Sequence, residues 1–128
     1  MKDKIVKEWF ERAKRDFEVA KLIYAHGDYY NEVTFLLHQA VEKYLKGYLI
    51  FHGWKLKKIH DIYILLSEAV EFNKSFEELL DFGKKLTAFY YEDRYPPGPV
   101  PEVSEEEAAE MLKSAESIID KVKADTGL

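Results

Sequence analysis

The stretch VTFLLHQAVEKYLKGYL, residues 33–49, decides the fold. Val33, Leu36, Leu37, Ala40, Val41, Tyr44, Leu45, Tyr48 and Leu49 return at three- and four-residue steps, the period of an α-helix. They cover most of the helix circumference, so other elements must enclose this helix and its polar groups occupy only a narrow strip. That strip carries His38, Gln39, Glu42, Lys43 and Lys46. With Asp28 as its N-cap and Gly53 as its stop, the pattern predicts a helix from about Tyr29 to His52.

Upstream, Val6, Trp9, Phe10, Ala13, Phe17, Ala20 and Tyr24 form a second helical stripe, which Gly27 should close as a C-cap. Downstream, the basic connector WKLKK leads to a predicted helix from about Ile59 to Phe72, with Leu65, Leu66, Ala69 and Phe72 turned inward and Asn73 ending it. Ser75 and Glu78 have the spacing of a capping box. They predict the start of a fourth helix bearing Leu79, Leu80, Gly83, Leu86 and Tyr90. The run YEDRYPPGPVPEVS follows, whose four prolines exclude helix interior and central strand alike. Ser104 with Glu107 gives another capping box, and Glu105 and Glu106 suit the positive end of a helix dipole. A fifth helix from about Glu105 to Lys123 then places Ala108, Met111, Leu112, Ala115, Ile118, Ile119 and Val122 on one face. No alternating strand pattern and no internal repeat competes with these segments. The predicted architecture is an all-α, up-and-down antiparallel bundle of about five helices, a single domain over residues 1–128.

Composition agrees. A chain of 128 residues that is 47% hydrophobic can close one core and is no disordered segment. No apolar run approaches the roughly 20 residues of a membrane span, and the charged N-terminus MKDKIVKEWFER lacks the apolar segment of a signal peptide. Without cysteine there is no disulfide framework and no thiolate ligand or nucleophile. A cytoplasmic location is expected. A formal net charge of −5 speaks against a generally basic nucleic-acid binder and leaves room for a local basic patch. Abundant Lys and Glu with scarce Met and no Cys follow the trend of thermophilic proteins.

The familiar chemical motifs are absent. A carboxylate-bridged metal site in a bundle uses Glu-x-x-His, which sets both ligands on one helix face. None of the four histidines has Glu three positions before it, and neither HExxH nor a phosphate-binding glycine loop occurs. Neither a metal nor a cofactor is expected, and no residue is assigned a catalytic role. Three features remain. The strip His38, Gln39, Glu42, Lys43 and Lys46 reads either as a recognition face or as a solvated helix side with an ordinary Glu-Lys pair at i,i+4. His60 and Asp61 read as further members of the same site, or as a helix cap with an imidazole at the core's edge. Arg94, between Tyr91 and Tyr95 in the proline-rich run, suits bidentate phosphate binding or stacking; alternatively the segment is only a rigid connector.

Taken in order, the helix WFERAKRDFEVAKLI, the segment HQAVEKYLKGYLI, the His60-Asp61 pair and DRYP at Asp93 to Pro96 resemble the HEPN domains, small helical bundles associated with nucleotide binding. The resemblance covers nearly the whole chain. It implies a compact dimeric bundle, of the type often encoded beside a minimal nucleotidyltransferase in toxin-antitoxin-like pairs. Its candidate ligand-binding residues are His38, Gln39, Glu42, Lys43, Lys46, His60, Asp61, Arg94 and Tyr95. Many members of that family are ribonucleases whose motif is Arg, four to six residues, then His. Here Arg12 is followed at those distances by Phe17, Glu18 and Val19, Arg15 by Ala20, Lys21 and Leu22, and Arg94 by Pro99, Val100 and Pro101. The leading expectation is therefore a nucleotide- or partner-binding module acting with a nucleotidyltransferase subunit. The alternatives are a metal-independent ribonuclease using His38 or His60, and a purely structural bundle.

Overall fold

The computed structural model describes residues 2–94 and 102–128, with side chains up to residue 91 before the break. The described residues form five α-helices and one 3-10 turn, in the order α1 Lys2–His26, α2 Tyr30–Phe51, α3 Ile62–Val70, the 3-10 turn Lys74–Leu79, α4 Leu80–Arg94 and α5 Glu105–Thr126. Among the described residues there is no strand. The all-α bundle expected from the periodicity is the observed fold.

Helix α2 is the axis of the molecule. Val33, Leu37, Val41, Leu45 and Leu49 on it are fully buried, Leu36 is half-buried, and α1, α3, α4 and α5 all pack against the helix. Burying one such side chain contributes roughly 1.5–3 kcal/mol, so this helix anchors the core. Helix α1 runs antiparallel to it. The register is read from Phe10 against Gly47, Asp16 against Lys43, and Tyr24 against Tyr30. Glycine at position 47 is required by proximity: a Cβ there would meet the Phe10 ring at 2.6 Å and Trp9 Cβ at 3.1 Å.

The helix ends follow local chemistry, with three departures from the sequence reading. Gly27 does leave α1 in the left-handed region (φ 87), but Asp28 does not cap α2. Asp28 and Tyr29 are themselves left-handed, and Tyr29 is the N-cap without any side-chain hydrogen bond. The third helix begins at Ile62 rather than at Ile59. Asp61 is its N-cap, with a carboxylate oxygen accepting from the Ile64 amide at 3.3 Å. Ser75 and Glu78 form no capping box. Asn73 instead accepts from the Ser75 amide (3.0 Å) and hydroxyl (2.7 Å), which tightens the chain into the 3-10 turn and delays α4 to Leu80. The Ser104–Glu107 box forms in both directions, at 3.0 and 3.2 Å.

Two tethers fix the bundle's ends. The Val103 amide donates to Asn31 Oδ1 at 3.0 Å, bringing the entry of α5 to the start of α2. The Tyr48 hydroxyl donates to Asp125 Oδ2 at 2.6 Å, and the Asn73 side-chain amide reaches the same oxygen at 3.1 Å.

Candidate functional site: a cleft over a buried carboxylate

The polar strip of α2 is not a solvated helix face. His38 is fully buried, and Glu42 and Lys46 expose only 7% and 4%. Because α2 is apolar around most of its girth, neighbours close over the strip as well. Tyr90 of α4 stacks on the His38 ring at 3.9 Å between centroids and 12° between planes. The connector between α2 and α3 lays His60 over Glu42.

Glu42 is the hub. One carboxylate oxygen accepts from Lys46 Nζ at 2.9 Å, and both oxygens lie 3.1 Å from His60 Nδ1. A carboxylate only accepts, so the proton at this contact sits on Nδ1 of His60, and Nε2 is the nitrogen left for other partners. His38 Nδ1 stands 3.8 Å from Glu42, beyond hydrogen-bond reach, and neither ring nitrogen of His38 has a partner among the described residues. Burial drives the His38 pKa down from 6.5 to about 4, with the Glu42 charge offsetting only part of the shift. His38 is thus a neutral aromatic slab at pH 7, and the Lys46 ammonium is what neutralises Glu42.

Above this floor lies a cleft of about 360 Å³, within the range of small-ligand sites. Gln39, Glu42 and Lys43 come from α2, Trp9 and Arg12 from α1, Tyr90 and Tyr91 from α4, and His60 from the connector. Lys43 leans on Asp16 at 2.5 Å. Arg12 has no ion pair or hydrogen bond among the described residues, which leaves a guanidinium open to the cleft. His60 is about half exposed, unlike the carboxylate that holds it. Positive and aromatic groups therefore face a common space with hydrogen-bonding capacity left over.

Of the sequence-predicted residues, the structure gathers Gln39, Glu42, Lys43 and His60 around the cleft, with His38 and Lys46 beneath or beside it in contact with Glu42. Asp61 is a helix cap, as its alternative reading had it. The Arg94 backbone is the last residue of α4 rather than part of a loop; its side chain and all of Tyr95 lie outside the described residues. Sequence reasoning missed Trp9, Arg12, Asp16 and the wall made by Tyr90 and Tyr91. A signal existed for the first three, since spacings of three and four put Trp9, Arg12 and Asp16 on one side of α1. Nothing local to α4 announced that Tyr90 would cover a histidine. Among the described residues no group of three or more His, Asp or Glu side chains converges as a metal site would. Among the same residues no helix is long and apolar enough to cross a membrane.

Comparison with known proteins bears on the fold and the family. The chain is 28% identical to a Methanocaldococcus jannaschii protein named "Putative toxin MJ1304", a match spanning 94% of this chain and 87% of that one. The crystal structure of TT1696 from Thermus thermophilus superposes with a TM-score of 0.77 at 30% identity, covering 93% of this chain and 96% of the other. That of ST0689, an archaeal HEPN homologue, gives 0.73 at 29% identity over 94% and 97% of the two chains. The HEPN domain family matches residues 6–125, nearly the full length, and the chain accordingly belongs to the HEPN domain family.

Proposed function

We propose that this HEPN domain is a nucleotide-binding module of a toxin-antitoxin-like pair, acting with a nucleotidyltransferase subunit. The observation that carries the reading is the cleft, which sets the open Arg12 guanidinium beside Lys43, His60, Gln39 and aromatic walls. A guanidinium matches phosphate oxygens bidentately. Trp9 and Tyr91 offer faces to a planar base. Gln39 supplies both a donor and an acceptor for a base edge. Glu42 would repel an anion if bare, but Lys46 neutralises it from below and His60 covers it. The toxin name borne by the Methanocaldococcus relative supports the toxin-antitoxin setting. Arg94 and Tyr95 stay candidates for the same ligand, and Asp61 supports it indirectly by placing the start of α3 just after His60.

Titrating AMP and ATP into the purified protein tests the binding claim. Arg12→Ala should weaken binding about tenfold or more, with little change in unfolding midpoint because Arg12 is exposed. Equal affinity in both proteins removes the phosphate role. For the partner claim, co-expression with the neighbouring open reading frame should yield a co-purifying nucleotidyltransferase.

A second reading, metal-independent ribonuclease activity, is favoured by one contact. His60 is held at 3.1 Å by a buried carboxylate, an arrangement that orients an imidazole for proton transfer. If the chain cleaves RNA, His60→Ala should abolish the activity; cleavage that survives the substitution excludes His60 as the general acid-base.

A further inference from the structure

A smaller depression of about 140 Å³ continues from the cleft along α1, sharing Trp9 and Arg12 with it and adding Ile5 and Glu8. Across the two spaces and the ion pairs that floor them, charge balances: Arg12, Lys43 and Lys46 stand against Glu8, Asp16 and Glu42. Most of that charge is already matched. Lys46 is held by Glu42 at 2.9 Å, Lys43 is held by Asp16, and both Glu42 oxygens face His60 Nδ1. Of the six, only Arg12 and Glu8 have no ion pair or hydrogen bond among the described residues. Glu8 and Asp16 come one turn before and one turn after Arg12, and this i,i+4 spacing sets neighbouring Cβ atoms about 5–6 Å apart. Lys4 and Arg15 line neither space. A ligand held by Arg12 thus meets a carboxylate whichever way it extends along α1.

We propose that the cleft selects a nucleoside monophosphate over the corresponding diphosphate and triphosphate. This rests on the nucleotide reading of the cleft and narrows it to one class of ligand. A single phosphate monoester is matched by the Arg12 fork alone, which can hold two of its oxygens at once. Each further phosphate adds negative charge. Among the described residues lining the cleft and the depression, no second uncommitted lysine or arginine is left to meet it. Glu8 and Asp16 repel it instead, the first without any partner to screen it. Drawing Lys43 towards the added phosphates would strip Asp16 of its counter-charge, so the gain at one oxygen is offset at another.

Adenosine, AMP, ADP and ATP are the probes, each titrated into the full chain without and then with magnesium, and followed through the Trp9 indole N–H resonance. AMP should bind about tenfold more tightly than adenosine and several-fold more tightly than ADP or ATP. Magnesium neutralises part of the triphosphate charge, so it should narrow the gap between AMP and ATP without closing it. Glu8→Gln, an exposed change, and Asp16→Asn, which releases Lys43, should each strengthen ATP binding more than AMP binding. The selectivity is overturned if ADP or ATP binds as tightly as AMP in either buffer, or if neither variant moves the ratio of the AMP and ATP affinities. Adenosine binding as tightly as AMP would overturn it too, since Arg12 would then hold no phosphate. If none of the four saturates the Trp9 signal, the nucleotide reading of the cleft falls and the selectivity with it; ATP matching AMP removes the selectivity alone.

Discussion

Taking Glu42 and Lys46 out of water costs several kcal/mol per ion, and only their contact and the hydrogen bonds around it recover that cost. Replacing Glu42 with Gln leaves the Lys46 ammonium buried without its counter-charge. Urea unfolding of Glu42→Gln should therefore show a loss of about 3 kcal/mol. The double variant Glu42→Leu/Lys46→Met, which removes both charges, should be much closer to wild type. A single variant as stable as wild type would mean that the pair is not desolvated. His38 gives a second expectation, in pH. Its folded pKa of about 4 lies below the ordinary 6.5, so the unfolded chain takes up a proton that the folded one refuses. The stability this linkage contributes is complete above pH 6.5 and is lost as pH falls towards 4, amounting to about 3 kcal/mol. His38→Phe keeps a ring for Tyr90 to stack on and should flatten that slope relative to wild type; parallel slopes would show that His38 titrates normally. The residue spacing of His38, Glu42 and Lys46 was legible as one helix side. Their burial was not, because it depends on Tyr90 and His60, which come from elements 18 to 52 residues away in sequence.

At the level of elements, periodicity carried all five helices, because each has a continuous apolar stripe that only a helix can turn to one side. The boundaries it missed were set by competition between nearby caps. Asn73 reaches the Ser75 amide before Ser75 can serve as a cap itself, and Asp61 starts α3 three residues later than the apolar pattern alone suggests. The connector after α1 obeys no cap preference: Tyr29, a bulky residue, takes a left-handed conformation that ordinarily costs roughly 1–2 kcal/mol. The α1–α2 crossing offers a sharp test. Helix propensity alone favours Gly47→Ala by about 1 kcal/mol. The added Cβ, however, would sit 2.6 Å from a Phe10 ring that is buried and packed on Tyr44. Overpacking of this kind costs about 1–3 kcal/mol, so the variant should be less stable overall; a gain in melting temperature would show that the helices separate easily.

For the whole molecule, the sequence suggested a dimer because α2 is apolar nearly all round. One chain covers most of α2 by itself, leaving Phe35, Leu36 and Ile50 half-buried. A homodimer remains our proposal, with a further ground outside that helix's middle. Leu22 and Tyr29 expose 70% and 62%, and with Ile23 they line an apolar depression of about 360 Å³ at the α1–α2 turn. Exposed apolar patches of this sort mark interaction sites, and two copies would cover them symmetrically. Sedimentation at tens of micromolar (roughly the range for a moderately tight interface) should show a dimer that Leu22→Glu dissociates; a monomer at every concentration contradicts it. The central claim, a nucleotide in the cleft over Glu42, is open to a more direct measurement, because the chain has only two tryptophans. Trp9 lines the cleft, whereas the Trp54 indole nitrogen is buried elsewhere without a partner among the described residues. Titration with AMP, followed through the two indole N–H resonances, should move the Trp9 signal to saturation and leave Trp54 in place. An unmoved Trp9 signal, or one that moves only together with Trp54, would contradict it.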